Sequence, residues 1–482
     1  MIEVDVSWSA LLPLLMLTGT ALAVLLADLF LRGPGRNPLA WIGLAGLGAT
    51  AFACVSLWDV ETTTLAQALI VDRYGLFFIV LICGATAATL LMSLGYLEQT
   101  EIRTGDYYSL VLFSTVGMLL MSMAADLLVV FIGLEIMSIA AYALAGMQRS
   151  RPQSTEAALK YFLLGAFASG FLLFGIALLY GATGSTNLVE ITAALQSTAV
   201  RADPLLAAGL GLLLVGFGFK VAVVPFHLWT PDVYEGAPTS VTAFMAVAVK
   251  AAAFAAFGRV FLGVFADPTP PWQGLLWGLA ALTMTVGNVT AVVQTSFKRL
   301  LAYSSIAHAG YLLVGVVVGG EAGGSALLFY VAVYAVMTLG AFAVAVAAGR
   351  SDAPIETLDD LAGLGLRHPW LGVAMVIFML SLAGIPPLAG FVGKLYLFRA
   401  AVDAGFVWLT VIAVLNSVVS VYYYAGVLVR MYMTEAATVS QPLPARPAVA
   451  LALLVMGAAT VAVGVLPSAL LNIAEASFPG LI

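Results

Sequence analysis

The chain has 482 residues, 62% hydrophobic and only 9% charged, with a formal net charge of −6 and a mean hydropathy of +1.07. Soluble domains carry about 25% charged residues. This composition excludes a water-soluble globular protein and predicts an all-α polytopic membrane protein.

The first ten residues, MIEVDVSWSA, are acidic and lack a basic leader region, so the first apolar run reads as a retained helix. About 20 apolar residues span a bilayer as a helix. By that measure spans fall near 10–31, 38–58, 74–97, 108–124, 126–147, 157–181, 204–226, 238–263, 274–296, 300–320, 324–348, 370–399, 405–432 and 447–470, about fourteen in all. Cys54 and Cys83 lie in apolar runs and read as packing residues. Asp126 reads as a helix cap. The longest connection, 182–203, contains NLVEITAALQ, an expected interfacial helix.

Orientation follows the basic residues near span ends. Connections after odd-numbered spans hold Arg32, Arg36, Arg103, Arg149, Arg151, Lys160, Lys298, Arg299, Arg350, Arg367, Arg430 and Arg446. Those after even-numbered spans hold Arg73, Arg201, Arg259 and Arg399. This excess assigns the odd connections to the cytoplasm and, for an even number of spans, both termini to the outer side.

Lys220, Lys250 and Lys394 belong to neither set, because they fall inside spans. Placing a charged side chain at the bilayer centre costs roughly 3 kcal/mol on insertion scales. Pro225 follows Lys220 closely, and Pro386–Pro387 precede Lys394, so each lysine lies near a predicted helix break. Broken backbone at membrane depth requires protein cover or a hydrated cavity. Glu135, in FIGLEIMSIAAYAL, is a lone carboxylate whose charged form needs a nearby cation, with Lys220 and Lys250 as candidates. The bland alternative is a static helix–helix tie for Glu135 and, for Lys220 and Lys394, neutralisation by one fixed partner or snorkelling to the surface; Lys250, at mid-span, cannot easily snorkel. His308, in AYSSIAHAGYLL, has the side chain that titrates near neutrality. Its alternative role is a neutral core histidine, and that of Lys160 is a surface marker.

LGAFA occurs at 164–168 and again at 339–343, and a shift of about 174 residues carries Lys220 onto Lys394. The expectation is two five-helix repeats, spans 4–8 and 9–13, each with a broken helix. Five being odd, the second repeat is inverted in the membrane. The expected organisation is a three-helix segment (1–105), repeats at 106–265 and 266–435, and a C-terminal helix (436–482). A row of mostly basic titratable groups suits protons better than metal cations, which want several oxygen ligands. The sequence has no Cys cluster for iron–sulfur centres, no paired-histidine haem site and no Walker motif. The energy source is therefore expected in a partner or an ion gradient.

PFHLWTPDVYEGAPT (225–239), following FKVAVV, together with FKRLLAYSSIAHAGYLL (297–313), GIPPLAGFVGKLYLF (384–398) and GLEIMSIAAYAL (133–144), resembles the antiporter-like subunits of respiratory complex I, in the subunit N form. The resemblance covers nearly the whole chain. It implies a fourteen-helix subunit in the membrane arm of a proton-translocating NADH:quinone oxidoreductase of a bacterial inner membrane. NADH, FMN, iron–sulfur clusters and quinone would be bound by partner subunits and none by this chain. The partners would be sister antiporter-like subunits and lipid, with no nucleic acid. It also implies a Glu135–Lys220 ion pair, Lys250 as a connecting lysine, Lys394 in a second half-channel, and His308 and Lys160 on the polar axis between them. An Mrp-like cation/proton antiporter, or the equivalent subunit of a membrane-bound hydrogenase or another donor's dehydrogenase, is the alternative reading.

Overall fold

A computed structural model describes residues 6–31, 37–100, 102–266, 272–349, 354–435 and 446–478. Arg32, Arg36 and Arg350 of the orientation count, residues 1–5 and the expected boundary at 436 lie outside the described residues. The spanning helices begin with α1 (Trp8–Phe30) and α2 (Asn37–Ser56). A short hairpin follows, β1 (Thr62–Thr64) paired antiparallel with β2 (Leu69–Val71), which the sequence reading did not foresee. Then come α3 (Arg73–Ser93), α4 (Thr104–Met123), α5 (Leu127–Ala145) and α6 (Pro152–Thr183). The expected interfacial segment forms two short helices, α7 (Leu188–Ala194) and α8 (Thr198–Arg201).

Polar caps start these helices where the apolar runs begin. Asp72, Asp126 and Asp203 accept hydrogen bonds from the free backbone N–H groups of α3, α5 and α9 (Pro204–Val221), respectively. Pro204 occupies the first position of α9, where its missing N–H costs nothing.

The seventh span is broken. After α9 the chain turns through 222–228 and resumes as α10 (Trp229–Gly236). The eighth span contains α11 (Thr239–Phe244) and α12 (Lys250–Gly258), with π-helical turns at Met245–Val249 and Arg259–Val264. Its most apolar 18-residue stretch is wholly buried, so the side chains there meet protein. There follow α13 (Gln273–Val292), α14 (Phe297–Val318), α15 (Gly320–Ala348) and α16 (Leu364–Arg367). The expected twelfth span divides into α17 (Pro369–Ala383) and α18 (Ala389–Asp403). The chain ends with α19 (Val407–Met433), α20 (Pro447–Val465) and α21 (Ser468–Ser477). Among the described residues thirteen helices are long and apolar enough to cross a membrane, and the bent pair Asp359–Arg367 and Pro369–Ala383 makes a fourteenth candidate.

The two breaks are built alike. Ala222 (φ 63°) and Gly384 (φ 86°) each end the first half-helix in the left-handed conformation. Val223 N–H then donates to the Gly218 carbonyl (2.8 Å), and Ile385 N–H donates to the Leu380 carbonyl (2.9 Å). A cis X–Pro bond follows in both, at Val224–Pro225 and Pro386–Pro387. From Ala222 to Gly384 the shift is 162 residues, not the 174 that superposes the lysines. The lysines therefore do not occupy matching places, contrary to the sequence reading. Lys220 sits in the last turn before its break, and Lys394 in the half-helix after its own.

Candidate proton path

Lys220 is buried in an aromatic box. Its Nζ lies 5.2 Å from the ring centre of Tyr142, 5.3 Å from Tyr161 and 5.5 Å from Phe219. Ring faces attract a desolvated cation by about 2 kcal/mol. The ammonium also donates to the Tyr142 hydroxyl at 3.3 Å. Trp229 buttresses the box. Its ring stacks on Tyr161 at 4.5 Å and on Phe219 at 5.1 Å, and its indole N–H donates to the Phe219 carbonyl at 2.9 Å. The tryptophan of PFHLW thus ties α10 back across the break to the lysine-bearing turn.

Glu135 does not touch Lys220. Among the described residues no ion pair within 4.0 Å joins them, and Glu135 Oε1 is buried with no hydrogen-bond partner. Lys220 instead bonds Tyr142, which lies on the same helix as Glu135. Glu135, Ser138 and Tyr142 follow one face of α5 at helical spacing, so one stripe carries the carboxylate, a hydroxyl and the phenol that holds the lysine. The contact pair that the resemblance implied is open in this structure: Lys220 meets the aromatic box, and Glu135 Oε1 has no hydrogen-bond partner.

Lys250 begins α12, directly after the Met245–Val249 π turn. Its Nζ donates to the Ser305 carbonyl (2.6 Å) and to the Ser305 hydroxyl, and it lies 5.6 Å from the Tyr334 ring centre. The Tyr334 hydroxyl donates to Ser305 Oγ at 2.8 Å. One residue back, Ser304 shares a hydrogen bond with the Tyr424 hydroxyl. His308 bonds that same hydroxyl through Nε2 (3.2 Å) and the Tyr330 hydroxyl through Nδ1 (2.8 Å). His308 is thus bonded by tyrosine side chains at both nitrogens.

Lys394 reaches back across the second break. Its Nζ donates to the carbonyls of Leu382 and Ala383, both at 3.1 Å, and to the Ser417 hydroxyl at 2.8 Å. These are the last carbonyls of α17, where a cation complements the negative end of the helix dipole. The Tyr311 ring centre lies 5.1 Å away. Tyr311 in turn accepts from Asn288, which accepts from Tyr423, beside Tyr424.

The structure thus gathers Lys250, His308 and Lys394 around five buried tyrosines, Tyr311, Tyr330, Tyr334, Tyr423 and Tyr424. Hydroxyl and imidazole groups both donate and accept, so this cluster is able to pass protons. Sequence reading did not single out the tyrosines as site residues. The available signal was spacing: Ser304, Ser305, His308 and Tyr311 recur on α14 three or four residues apart, and Tyr330 and Tyr334 face them from α15.

Lys160 stands apart. It is partly exposed and pairs with Glu156 (2.7 Å) and Asp232 (2.6 Å), while Arg299 pairs with Asp232 (2.7 Å) and Glu235 (3.0 Å). This is a rim cluster around α10. Two residues counted as loop charges lie inside. Lys298 is buried and donates to the Ala237 carbonyl (2.8 Å). Arg259 is buried on Asp72 in a bidentate pair at 2.6 and 2.9 Å, with Tyr74 over its guanidinium. Cys54 and Cys83 are buried free thiols.

Residues 124–420 match the family described as NADH:quinone oxidoreductase/Mrp antiporter, TM. NADH-quinone oxidoreductase subunit N of Trichlorobacter lovleyi is 46% identical over 470 residues, covering 98% of this chain and 96% of that protein. Subunit N 1 of Herpetosiphon aurantiacus is 45% identical over 478 residues, covering 98% and 97%. A chain of respiratory complex I from Thermus thermophilus with bound aureothin is 38% identical, with a TM-score of 0.81, covering 96% of this chain and 100% of that one. A chain of the Mrp complex from Dietzia sp. DQ12-45-1b shares the fold, with a TM-score of 0.85 at 23% identity.

Proposed function

Because this chain belongs to the NADH:quinone oxidoreductase/Mrp antiporter family of membrane subunits, we propose that it is a proton-translocating subunit in the membrane arm of an NADH:quinone oxidoreductase. It works as part of a translocase whose NADH, FMN, iron–sulfur clusters and quinone are bound by partner subunits. The supporting observation is the run of buried titratable groups from Lys220 through Lys250 and His308 to Lys394, joined in its second half by tyrosine hydroxyls. Nearly full-length likeness at 45–46% identity favours this reading over an Mrp-like antiporter, whose solved relative shares only the fold.

In this reading Glu135 and Lys220 are the first proton-handling pair, Lys250 the link and Lys394 the end of the second half. The charge on Lys220 depends on how near Glu135 comes, with Tyr142 as the hinge of that approach. A charge change along the axis moves Lys220 between the carboxylate and the aromatic box and passes its proton toward Lys250. His308 and the tyrosines carry it on to Lys394. Lys160 contributes through the rim cluster, by fixing α10. The chain comprises a three-helix segment (1–105), two repeats (106–265 and 266–435) and a C-terminal helix (436–482), with both termini on the periplasmic side of a bacterial inner membrane.

The test uses complexes carrying Lys220→Ala or Lys394→Ala that assemble normally. Proton pumping and NADH:quinone activity are both measured. A loss of pumping per electron supports the path, and full pumping by either variant removes that lysine from it.

A further inference from the structure

A cavity of about 760 Å³ lies where α1 ends, α4 begins and α5 ends, away from the proton path. Its polar wall carries Arg103, Asp106, Ser109 and Arg149, and its apolar wall includes Leu25 and Phe113. Ser109 lines the cavity and is 4% exposed, and its buried hydroxyl has no hydrogen-bond partner. Buried hydroxyls are normally satisfied, so an orphan on a residue of the cavity wall leaves bonding capacity for a polar group that reaches it. Neither guanidinium makes an ion pair or side-chain hydrogen bond among the described residues, and neither does the Asp106 carboxylate. Two free guanidiniums suit a phosphodiester. The free carboxylate beside them suits an ammonium. Both lie at the level where the spans end, next to α1, which turns Leu22, Leu26 and Leu29 outward. That position is the polar–apolar boundary of a bilayer.

We propose that this cavity binds the headgroup of a zwitterionic aminophospholipid, with its phosphate against Arg103 and Arg149, its ammonium against Asp106 and an acyl chain along Leu25 and Phe113. Ser109 supplies a hydrogen bond to the headgroup. The two signs of charge on the wall favour this lipid over a purely anionic one, which Asp106 repels. They also favour it over a choline lipid, whose quaternary nitrogen has no N–H to donate.

The test uses the intact complex containing this chain, stripped of lipid in detergent. It is mixed with phosphatidylethanolamine, with phosphatidylcholine or with inorganic phosphate, and bound lipid is counted by native mass spectrometry. Expected results are retention of phosphatidylethanolamine over phosphatidylcholine and a loss of about tenfold in affinity on Arg103→Ala/Arg149→Ala, as charge-assisted pairs disappear. Asp106→Asn should level the two lipids while keeping the phosphate contact. Because it leaves both arginines in place, it also separates loss of binding from loss of assembly. Equal retention of both lipids by the unsubstituted complex overturns the proposal. So does undiminished binding by the double variant, displacement of the lipid by inorganic phosphate, or a neighbouring subunit's side chains filling the cavity in the assembled complex.

Discussion

A lysine buried among rings and a lysine buried among carbonyls have different constraints, though the sequence writes both as a cation in an apolar run. Lys220 is held by Tyr142, Tyr161 and Phe219, while Lys394 is held by the ends of α17 and by Ser417. Tyr142→Phe removes the one hydroxyl bonded to Lys220 while keeping the ring. A hydrogen bond to a charged group contributes about 1.5–3 kcal/mol. Pumping is expected to fall severalfold with assembly intact, as read by vesicle acidification beside quinone reduction. Unchanged pumping would mean that Glu135 and Lys220 meet without Tyr142. Arg259 and Asp72 make a different kind of buried charge, a bidentate pair joining the eighth span to the start of α3. Removing one partner leaves the other buried and unpaired, at a cost of about 3–5 kcal/mol. Asp72→Asn should therefore lower the amount of assembled complex and its thermal midpoint, and pairing it with Arg259→Met should recover part of the loss. A double variant as weak as the single one would show that the pair does not act as a unit.

The broken helices are the elements on which the residues depend. At Gly384 a left-handed backbone meets a close neighbour, because a Cβ there would lie 3.0 Å from Cδ of Lys394 and 3.3 Å from its Nζ. Gly384→Ala thus combines an unfavourable φ with displacement of the lysine. Pumping is expected to drop more than quinone reduction, and an unaltered pumping ratio would count against Lys394 depending on this turn. A second glycine guards the same break from outside. Gly464 of α20 leaves no room for a methyl group against the carbonyl of Pro387. Gly464→Val should push α20 off the break and lower the yield of intact complex, measured by native gel after mild extraction. At the first break Ala222 takes the left-handed conformation without glycine's freedom, in the turn across which Trp229 is tied back to Phe219.

Across the molecule the most enclosed span, Thr239–Val264, carries Lys250 and Arg259, and the least enclosed, Pro447–Val465, carries no charge. Burial and charge coincide because a cation at membrane depth needs protein partners. The orientation count weakens slightly on the even side once Arg259 is seen to be buried, and on the odd side once Lys298 is. Its sense is unchanged. Cysteines at Ser7 and Gln153, in a complex otherwise free of reactive thiols, test it. A membrane-impermeant maleimide is expected to label Ser7→Cys from the periplasmic side and Gln153→Cys only from the cytoplasmic side. The reverse pattern would invert the assignment.

Hydropathy by itself determined the all-α membrane class and the near positions of the spans, because the bilayer demands about twenty apolar residues each time. Prolines at 225, 386 and 387 announced both breaks, and the rarity of charge in such runs singled out Glu135, Lys220, Lys250, His308 and Lys394. Only the tertiary structure decided how these groups meet. It separated Glu135 from Lys220, set the repeat of the breaks at 162 residues and moved Lys298 and Arg259 inside. It also assembled the tyrosine cluster from α14, α15 and α19. The reason is physical: transfer from water acts on each residue singly and is written along the chain, whereas a hydrogen bond or a ring contact between distant helices exists only once they are packed.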